Sequence, residues 1–424
     1  MKIIFFTENH YRGGLDTFLT TLINHWPYPE DDLALICNRS HPGLDWIKSK
    51  LARQCEITPH RLPGQSEWYR GNSQRKFLSN RLAKGCLSLL RKTLAYPFFM
   101  VHVMALIFKF KKMRYDRLMV VNGGYPASLS CRAASIAWNL AGKRPLSIHN
   151  FHSLAQASPV WYRWIESLID RGVLNSSRAM VSVSDACIHS LHKLKVFRGA
   201  TNSRFIYNGI SPGKQQCGYR EAALSDLGIP EEAPLCLMLA TYHPYKGHDF
   251  FFRAFSEVIR SVPNARALIC GDGRPSEIFR VRCAISSLGL DQQVIVQGHR
   301  ADVDLLLQRA QVLVVPSQAF ESFSLVIVEA MARRLPVVAT RVGGIPEVMP
   351  DGMGGLLCDV NDVEGFGRNI LKILSDLDLA KKLGEMGFRR YSDKFTADKM
   401  AKEYAGLVRL HDHAFENQSH FNMG

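Results

Sequence analysis

The stretch VLVVPSQAFESFSLVIVEAMARRLPVVAT, residues 312–340, opens with four consecutive apolar residues, breaks at Pro316-Ser317, takes helical spacing from Ser322 to Ala332, and returns to an apolar run at Pro336–Thr340. Strands without polar alternation are buried on both faces, so strand, helix and strand here predict a βαβ unit in a parallel sheet. The same rhythm extends outward. Leu235–Ala240, Ala265–Cys270 and Val294–Gln297 read as further strands of this sheet, and Met1–Thr7, Arg117–Asn122, Met180–Ser184 and Phe205–Asn208 as strands of another. Each half is therefore predicted to be a Rossmann-like α/β layer. Ser211–Gly218 (SPGKQQCG) has turn residues and no periodicity, which predicts a linker between a domain of residues 1–211 and one of 212–393.

Length agrees with two domains: 424 residues exceed what one core serves, and 46% hydrophobic with 21% charged residues excludes disorder and fibrous folds. The ten cysteines have no CxxC or CxxH spacing, which predicts buried thiols in a reducing compartment rather than a disulfide or zinc scaffold. Only four apolar residues follow Lys2, too few for a signal peptide, so a cytoplasmic location is expected.

Charge is unevenly placed. Residues 1–210 hold 29 Lys+Arg against 12 Asp+Glu, whereas the remaining 24 basic residues face 26 acidic ones. A basic half points to a polyanionic partner, an anionic membrane face or a nucleic acid, and a local feature favours the membrane. Leu94–Phe108 (LAYPFFMVHVMALIF) carries no formal charge and is bracketed by Arg91, Lys92, Lys109, Lys111, Lys112 and Arg114. It is short of a span and interrupted by Pro97, leaving two readings: a helix buried in the first domain, or one lying in the membrane interface with residues 91–114 on lipid headgroups.

In open parallel sheets ligands bind beyond the strand carboxyl ends, so chemistry is expected in the loops there. Gly13-Gly14, between the first strand and the predicted helix Leu15–His25, lets backbone amides approach an anion, or is simply a turn. In the second domain Glu321 follows a strand, and Glu329 sits in a helix among Val326, Ile327, Val328, Ala330 and Met331. A buried carboxylate needs a partner. A ribose diol could donate two hydrogen bonds to it, with the amides of Phe323, Ser324 and Leu325 on a pyrophosphate; the alternative is a Glu bonded to a neighbouring strand.

Glu321-x7-Glu329, the run on to Gly343-Gly344-Ile345-Pro346-Glu347, Lys246-Gly247, Gly271-Asp272-Gly273, the Gly298 turn and Pro316-Ser317 together resemble the donor half of the retaining glycosyltransferases of family 4, which have the GT-B fold. The first half resembles the family more faintly, through Gly13-Gly14, Ser147–Asn150, Val183-Ser184 and Ile206–Gly209. The resemblance implies two Rossmann-like domains facing across a cleft, with a C-terminal helix of about 394–424 completing the first. It implies Glu329 on the nucleotide ribose, Glu321 on donor-sugar hydroxyls, Lys246 on the diphosphate, Gly298 and His299 at the nucleobase, Gly13 and Gly14 over the phosphates, and His149 beside the reacting sugar; an ordinary satisfied histidine is the alternative at 149.

Three departures from the pattern stand out. Thr241 falls where a second phosphate-binding cation is usual, Ser324 where Gly is common, and Asn150 where Asp often follows the His. Asp302-Val303-Asp304 matches a metal-binding DxD, but Asp302 is better read as a helix N-cap, so no catalytic metal and no cofactor is expected. Gly271-Asp-Gly273 lacks the third glycine of a dinucleotide fingerprint, which argues against hydride transfer. The resemblance implies transfer from a nucleotide-diphosphate sugar, itself a substrate, to a lipid-linked or glycan hydroxyl in polysaccharide, lipopolysaccharide or glycolipid assembly. The expected place is the cytoplasm or the inner membrane face, with no nucleic-acid partner. A nucleotide-sugar epimerase of the same fold and a non-catalytic nucleotide-sugar or nucleic-acid binder are the rivals.

Overall fold

The computed structural model describes residues 1–60, 62, 81–211 and 227–410, with side chains of the helix that begins at Arg81 described from Leu94 onward. The linker segment 212–218 and the chain beyond Leu410 lie outside the described residues.

Two compact units are present, one of Met1–Ile206 with the chain from Met400, the other of Tyr207–Lys399. The first holds β1 (Lys2–Thr7), β2 (Asp32–Asn38), β3 (Glu56–His60), β4 (Arg117–Asn122), β5 (Ser147–Phe151), β6 (Ser177–Ser182) and β7 (Ser203–Phe205). Every pairing is parallel, in the order β3-β2-β1-β4-β5-β6-β7. The second holds β8 (Leu235–Leu239), β9 (Arg266–Cys270), β10 (Val294–Gln297), β11 (Val312–Val315), β12 (Val337–Thr340) and β13 (Gly355–Cys358), also all parallel, in the order β10-β9-β8-β11-β12-β13. Strand order reverses between β1 and β4 in one sheet and between β8 and β11 in the other. At such a switch point neighbouring loops diverge and leave a crevice.

Four strands differ from expectation by omission. β2, β3, β5 and β13 are not among the strands predicted: β3 (EITPH) is polar and half-exposed, and β13 is a four-residue edge strand. The predicted Met180–Ser184 and Phe205–Asn208 are registered earlier, as β6 and β7.

From Met400 onward the helix Ala397–Arg409 belongs to the first unit. Its Met400, Ala401, Tyr404, Ala405, Leu407 and Val408 share a buried core with Phe18, Leu22, Met119 and Val181. Polar groups tie it down as well: Asn150 Nδ2 donates to the Tyr404 hydroxyl at 2.8 Å, Arg117 Nε to the carbonyl of Val408 at 2.9 Å, and the Arg178 guanidinium to those of Leu407 and Leu410. In the second unit the entering and leaving segments bridge at Ile210 and Thr396, where a side chain at Gly209 would collide with the Thr396 carbonyl.

The uncharged run lies in the helix Arg81–Lys112 and fits neither of its two readings throughout. Ala95, Phe99, Val103, Leu106 and Phe110 are buried, while Met100, Val101, Met104 and Phe108 are exposed. Of the described cysteines, all of them free thiols, Cys283 is exposed and Cys55 half-buried, which corrects the expectation that all are buried.

Candidate functional site

The loops after β8 and β11 meet at the switch point of the second sheet. Lys246 closes a 3₁₀ turn, Pro244–Lys246, ahead of the helix His248–Ser261. Gly247 holds φ 78°, and a Cβ there would strike the carbonyl of Pro316, so the glycine lets the two loops close up. Across this contact Lys246 Nζ lies 2.7 Å from Glu321 Oε2, which also accepts from Ser317 Oγ at 3.2 Å. The pair is largely buried, at 22% and 11% side-chain exposure, so each charge is held mainly by the other. The loop after β12 completes the enclosure: Gly344 N donates to the Glu321 carbonyl at 2.9 Å, and Gly343, at φ 54°, leaves no room there for a side chain.

Glu329 lies in the helix Leu325–Met331 and, among the described residues, its carboxylate accepts no hydrogen bond. Burial pushes it up to about 7, with Arg333 opposing and Asp304 adding to the shift. Arg333 is engaged elsewhere, with the Glu329 carbonyl at 2.8 Å and with Asp304. The neighbouring-strand partner considered for Glu329 is therefore not what the structure holds. Ser324 precedes the helix at φ 72° and ψ 80°, the left-handed region that favours glycine, which gives the physical reason that a glycine suits this place. The Phe323 ring is buried against Tyr207 and Phe395, so only the backbone of 323 is offered to a ligand. Thr241, Gly298 and His299 are exposed beyond the ends of β8 and β10. Asp302 takes the N-cap position but makes no capping bond; Arg300 grips both its oxygens at 2.9 and 2.6 Å, a correction to the role expected of it.

In the first unit two expectations are corrected. Gly13 and Gly14 do start the helix Gly14–Asn24, but Gly13 N already donates to Asp16 Oδ2 at 3.1 Å, so this amide is not open to a phosphate. The Asp16 carboxylate itself stands at the helix start, held by Asn9 at 3.0 Å and His41 at 3.3 Å. His149 is not at a strand end. It is fully buried inside β5, with Nδ1 2.9 Å from Ser135 Oγ and its imidazole pushed down to about 3 by burial and by the Arg132 charge. The histidine at the carboxyl end of β5 is His152, whose amide donates to the Asn122 carbonyl at 3.1 Å and whose ring meets Phe18 at 4.3 Å. Its imidazole too is pushed down to about 3 by burial. Alternation could have found it: Ile148 and Asn150 share one face of β5 and His149 and Phe151 the other, leaving 152 as the first residue past the strand. Asn150 points at Tyr404, not at either imidazole.

The β1–β4 switch point contains a pocket of about 300 Å³ lined by Glu8, Asn9, His10, His102, Asn122 and Ser128 among others. Glu8 accepts from Ser128 Oγ at 2.5 Å, from Ser130 and from His10 Nε2 at 3.1 Å, and these bonds outweigh its burial, holding the carboxyl at about 2. Sequence reading missed this group, because its hydroxyl partners lie 120 residues away in the chain.

Residues 220–390 match the family described as Glycosyl transferases group 1. This segment is a group 1 glycosyltransferase domain. Across the wider chain, 240 residues are 28% identical to the N-acetyl-alpha-D-glucosaminyl L-malate synthase of Bacillus anthracis, covering 57% of this chain and 61% of that protein. A lipopolysaccharide core biosynthesis glycosyltransferase of Rhizobium meliloti, LpsE, is 29% identical over 43% of this chain and 52% of its own length. The chain thus spans between about half and three fifths of these curated relatives. Among solved structures, Anabaena HepE in complex with UDP superposes with a TM-score of 0.71 over 96% of this chain and 99% of its own, at 18% identity. That likeness carries the fold: two parallel-sheet α/β domains of the GT-B type. The Lys246–Glu321 pair and Glu329 all lie inside the group 1 domain.

Proposed function

We propose that the protein is a retaining glycosyltransferase that moves a sugar from a nucleotide-diphosphate sugar to a hydroxyl of a glycan or lipid-linked acceptor, in the assembly of a cell-surface polysaccharide, lipopolysaccharide or glycolipid. The observation that carries this reading is the Lys246–Glu321 pair at the β8–β11 switch point of a group 1 domain, with the Glu329 carboxylate, which accepts no hydrogen bond among the described residues, in the helix that follows. A diphosphate entering this crevice competes with Glu321 for Lys246. The ammonium then offsets the charge that grows on the leaving phosphate, and Glu321 is released to accept hydroxyls of the sugar. Glu329, once ionised, accepts both hydroxyls of the ribose, and the backbone at Phe323, Ser324 and Leu325 faces the diphosphate. Gly298 and His299 stand at the base, with Thr241 beside the phosphates. The first unit takes the acceptor in the Glu8 pocket, and His152, the first residue past β5, is its candidate imidazole for the reaction. Attack occurs on the face from which the nucleotide leaves, the departing phosphate taking the acceptor's proton.

The names of the relatives and the UDP held by HepE support a nucleotide-sugar donor. The test is a panel of nucleotide sugars offered to the purified protein, reading thermal stabilisation and release of free nucleotide. The reading predicts that one donor both stabilises and is slowly hydrolysed, and that Lys246→Ala abolishes the hydrolysis. Failure of every nucleotide sugar to bind would remove the proposal.

A further inference from the structure

The helix Arg81–Lys112 presents a stripe to solvent that no described part of the chain covers. Pro97, Met100, Val101, Met104, Ala105 and Phe108 are exposed at spacings of three and four, and the same face runs on to exposed Lys111 and Lys112. Met100, Val101, Met104 and Phe108 are each more than half exposed. The stretch Leu94–Lys112 is long and apolar enough to cross a bilayer by length and composition. Its opposite face, however, is committed to the core through Phe99, Val103, Leu106 and Phe110, the last meeting Trp138 edge-on at 5.4 Å.

A second apolar group lies on the same layer. Val160 and Trp161, in the turn before the helix Arg163–Ser176, are 69% and 87% exposed; within that helix Trp164 and Leu168 are 67% and 58% exposed, and Arg163 and Arg171 flank them in solvent. Tyr96 joins the two groups, its hydroxyl donating to Glu166 Oε1 at 3.1 Å and its ring 5.9 Å from that of Tyr162. Arg132, buried in the intervening helix Leu129–Leu140, bonds the other Glu166 oxygen at 2.5 Å and fixes the arrangement from below. Isolated exposed apolar residues need no explanation; two tryptophans beside a four-residue apolar stripe, edged by lysines and arginines, do.

We propose that this two-part surface, the Met100–Phe108 stripe together with Val160, Trp161, Trp164 and Leu168, docks the first unit on an anionic phospholipid bilayer without spanning it. The charge of the unit decides the occupant: residues 1–210 carry 29 basic against 12 acidic residues, and Lys111, Lys112, Arg163 and Arg171 stand at the edges of the apolar surface, where headgroup phosphates would lie. Tryptophan is suited to this depth because its ring is apolar and its N–H stays at the wet boundary. Half of the helix already packs inward, so it lies in the interface with its buried face on the protein. The inference goes beyond the transfer reaction and does not depend on which donor is used.

Vesicle sedimentation with the full chain tests it, using phosphatidylglycerol/phosphatidylcholine mixtures and pure phosphatidylcholine. The wild type sediments with the anionic vesicles, is released by raised salt and ignores the neutral ones. The quadruple change Lys111→Gln, Lys112→Gln, Arg163→Gln, Arg171→Gln lowers the partition coefficient on the order of 100-fold or more. Trp161→Ala with Trp164→Ala abolishes the blue shift of tryptophan emission on vesicle addition. All six positions are exposed, so thermal unfolding of these variants matches the wild type and separates lost docking from lost fold. Equal binding to both lipids, or none, overturns the proposal. So does resistance of the bound protein to carbonate extraction, which would make the helix a span, and so does a concentration-dependent dimer that disappears in the double tryptophan variant, which would assign the surface to a second copy of the chain. Donor binding is measured in parallel: a variant that loses vesicles while keeping the nucleotide sugar supports docking as a function separate from transfer, and a wild type that ignores anionic vesicles while binding the nucleotide sugar breaks only this inference and not the proposed activity.

Discussion

The switch points of the two sheets are built from similar parts and treat their polar groups oppositely. At β1–β4 the carboxylates are satisfied from within: Asp16 accepts from Gly13 and Asn9, with His41 3.3 Å away, and Glu8 holds two serines and His10. At β8–β11 the Glu329 carboxylate accepts no hydrogen bond among the described residues, and Lys246 and Glu321 have chiefly each other. Fold topology makes a crevice in both places; only the second leaves ionic side chains whose pairing a ligand can improve. Internal satisfaction rigidifies a pocket wall, whereas an incompletely satisfied pair stores binding capacity at some cost in stability.

The largest effect expected from that contrast is at Lys246. Lys246→Ala should lower kcat on the order of 100-fold or more, since it removes charge stabilisation of the leaving phosphate and strands Glu321. Steady-state kinetics with a fold check by circular dichroism would decide it, and an unchanged kcat sinks the assignment. The histidines sharpen the contrast within the first unit. His152→Ala should depress the chemical step by roughly 10–100-fold in single-turnover assays. His149→Ala should leave the chemistry nearly intact and destabilise the fold by about 1–3 kcal/mol, the cost of a cavity and of Ser135 left unmatched. The reverse pattern would restore His149 to the reacting end.

Glu329 offers a pH test. Its carboxyl titrates near 7 in the folded chain instead of near its ordinary 4.5, so the folded state holds this proton more tightly than the unfolded one. The charge therefore costs stability above the unfolded value, by an amount that grows up to about pH 7 and is then constant. Glu329→Gln should accordingly raise the melting temperature at pH 8 and not at pH 4, while weakening donor binding by about 10-fold. In the wild type donor affinity should rise as pH increases through 7, and the Gln variant should lack that rise. Differential scanning calorimetry and titration calorimetry read both quantities; a flat wild-type profile contradicts a role for the ionised carboxylate. The smallest effect belongs to Ser324. Ser324→Gly relieves a left-handed backbone and should stabilise the second unit by about 1 kcal/mol, with turnover changing little; destabilisation on that scale would show that the hydroxymethyl group makes a contact worth more than the strain.

Much of the second unit was legible in the chain because its information is local. β11, the helix Leu325–Met331 and β12 are contiguous, and the glutamates eight positions apart fall on one loop and the helix it feeds. The first unit was legible as a sheet but not as a site. β3 and β5 carry polar residues whose partners come from other elements, so periodicity says little about them. His149 and His152 are three positions apart in an unremarkable run, and only the register of β5 separates an interior imidazole from one past the strand end.

The sequence by itself determined that there are two parallel α/β layers, that the glutamates, Lys246 and the glycine turns of the second layer fall beyond its strand ends, and that the basic residues concentrate in the first half. These follow from short-range patterning, which fixes secondary structure and strand polarity without reference to distant residues. Tertiary structure alone decided which of those groups are free. That Asn150 is taken up by Tyr404 and His149 by Ser135, that Lys246 reaches Glu321 across 75 positions, and that one face of the helix Arg81–Lys112 is left in solvent are all products of packing between elements. A hydrogen bond or a buried face is a property of two elements brought together, and the sequence of either one does not contain the other.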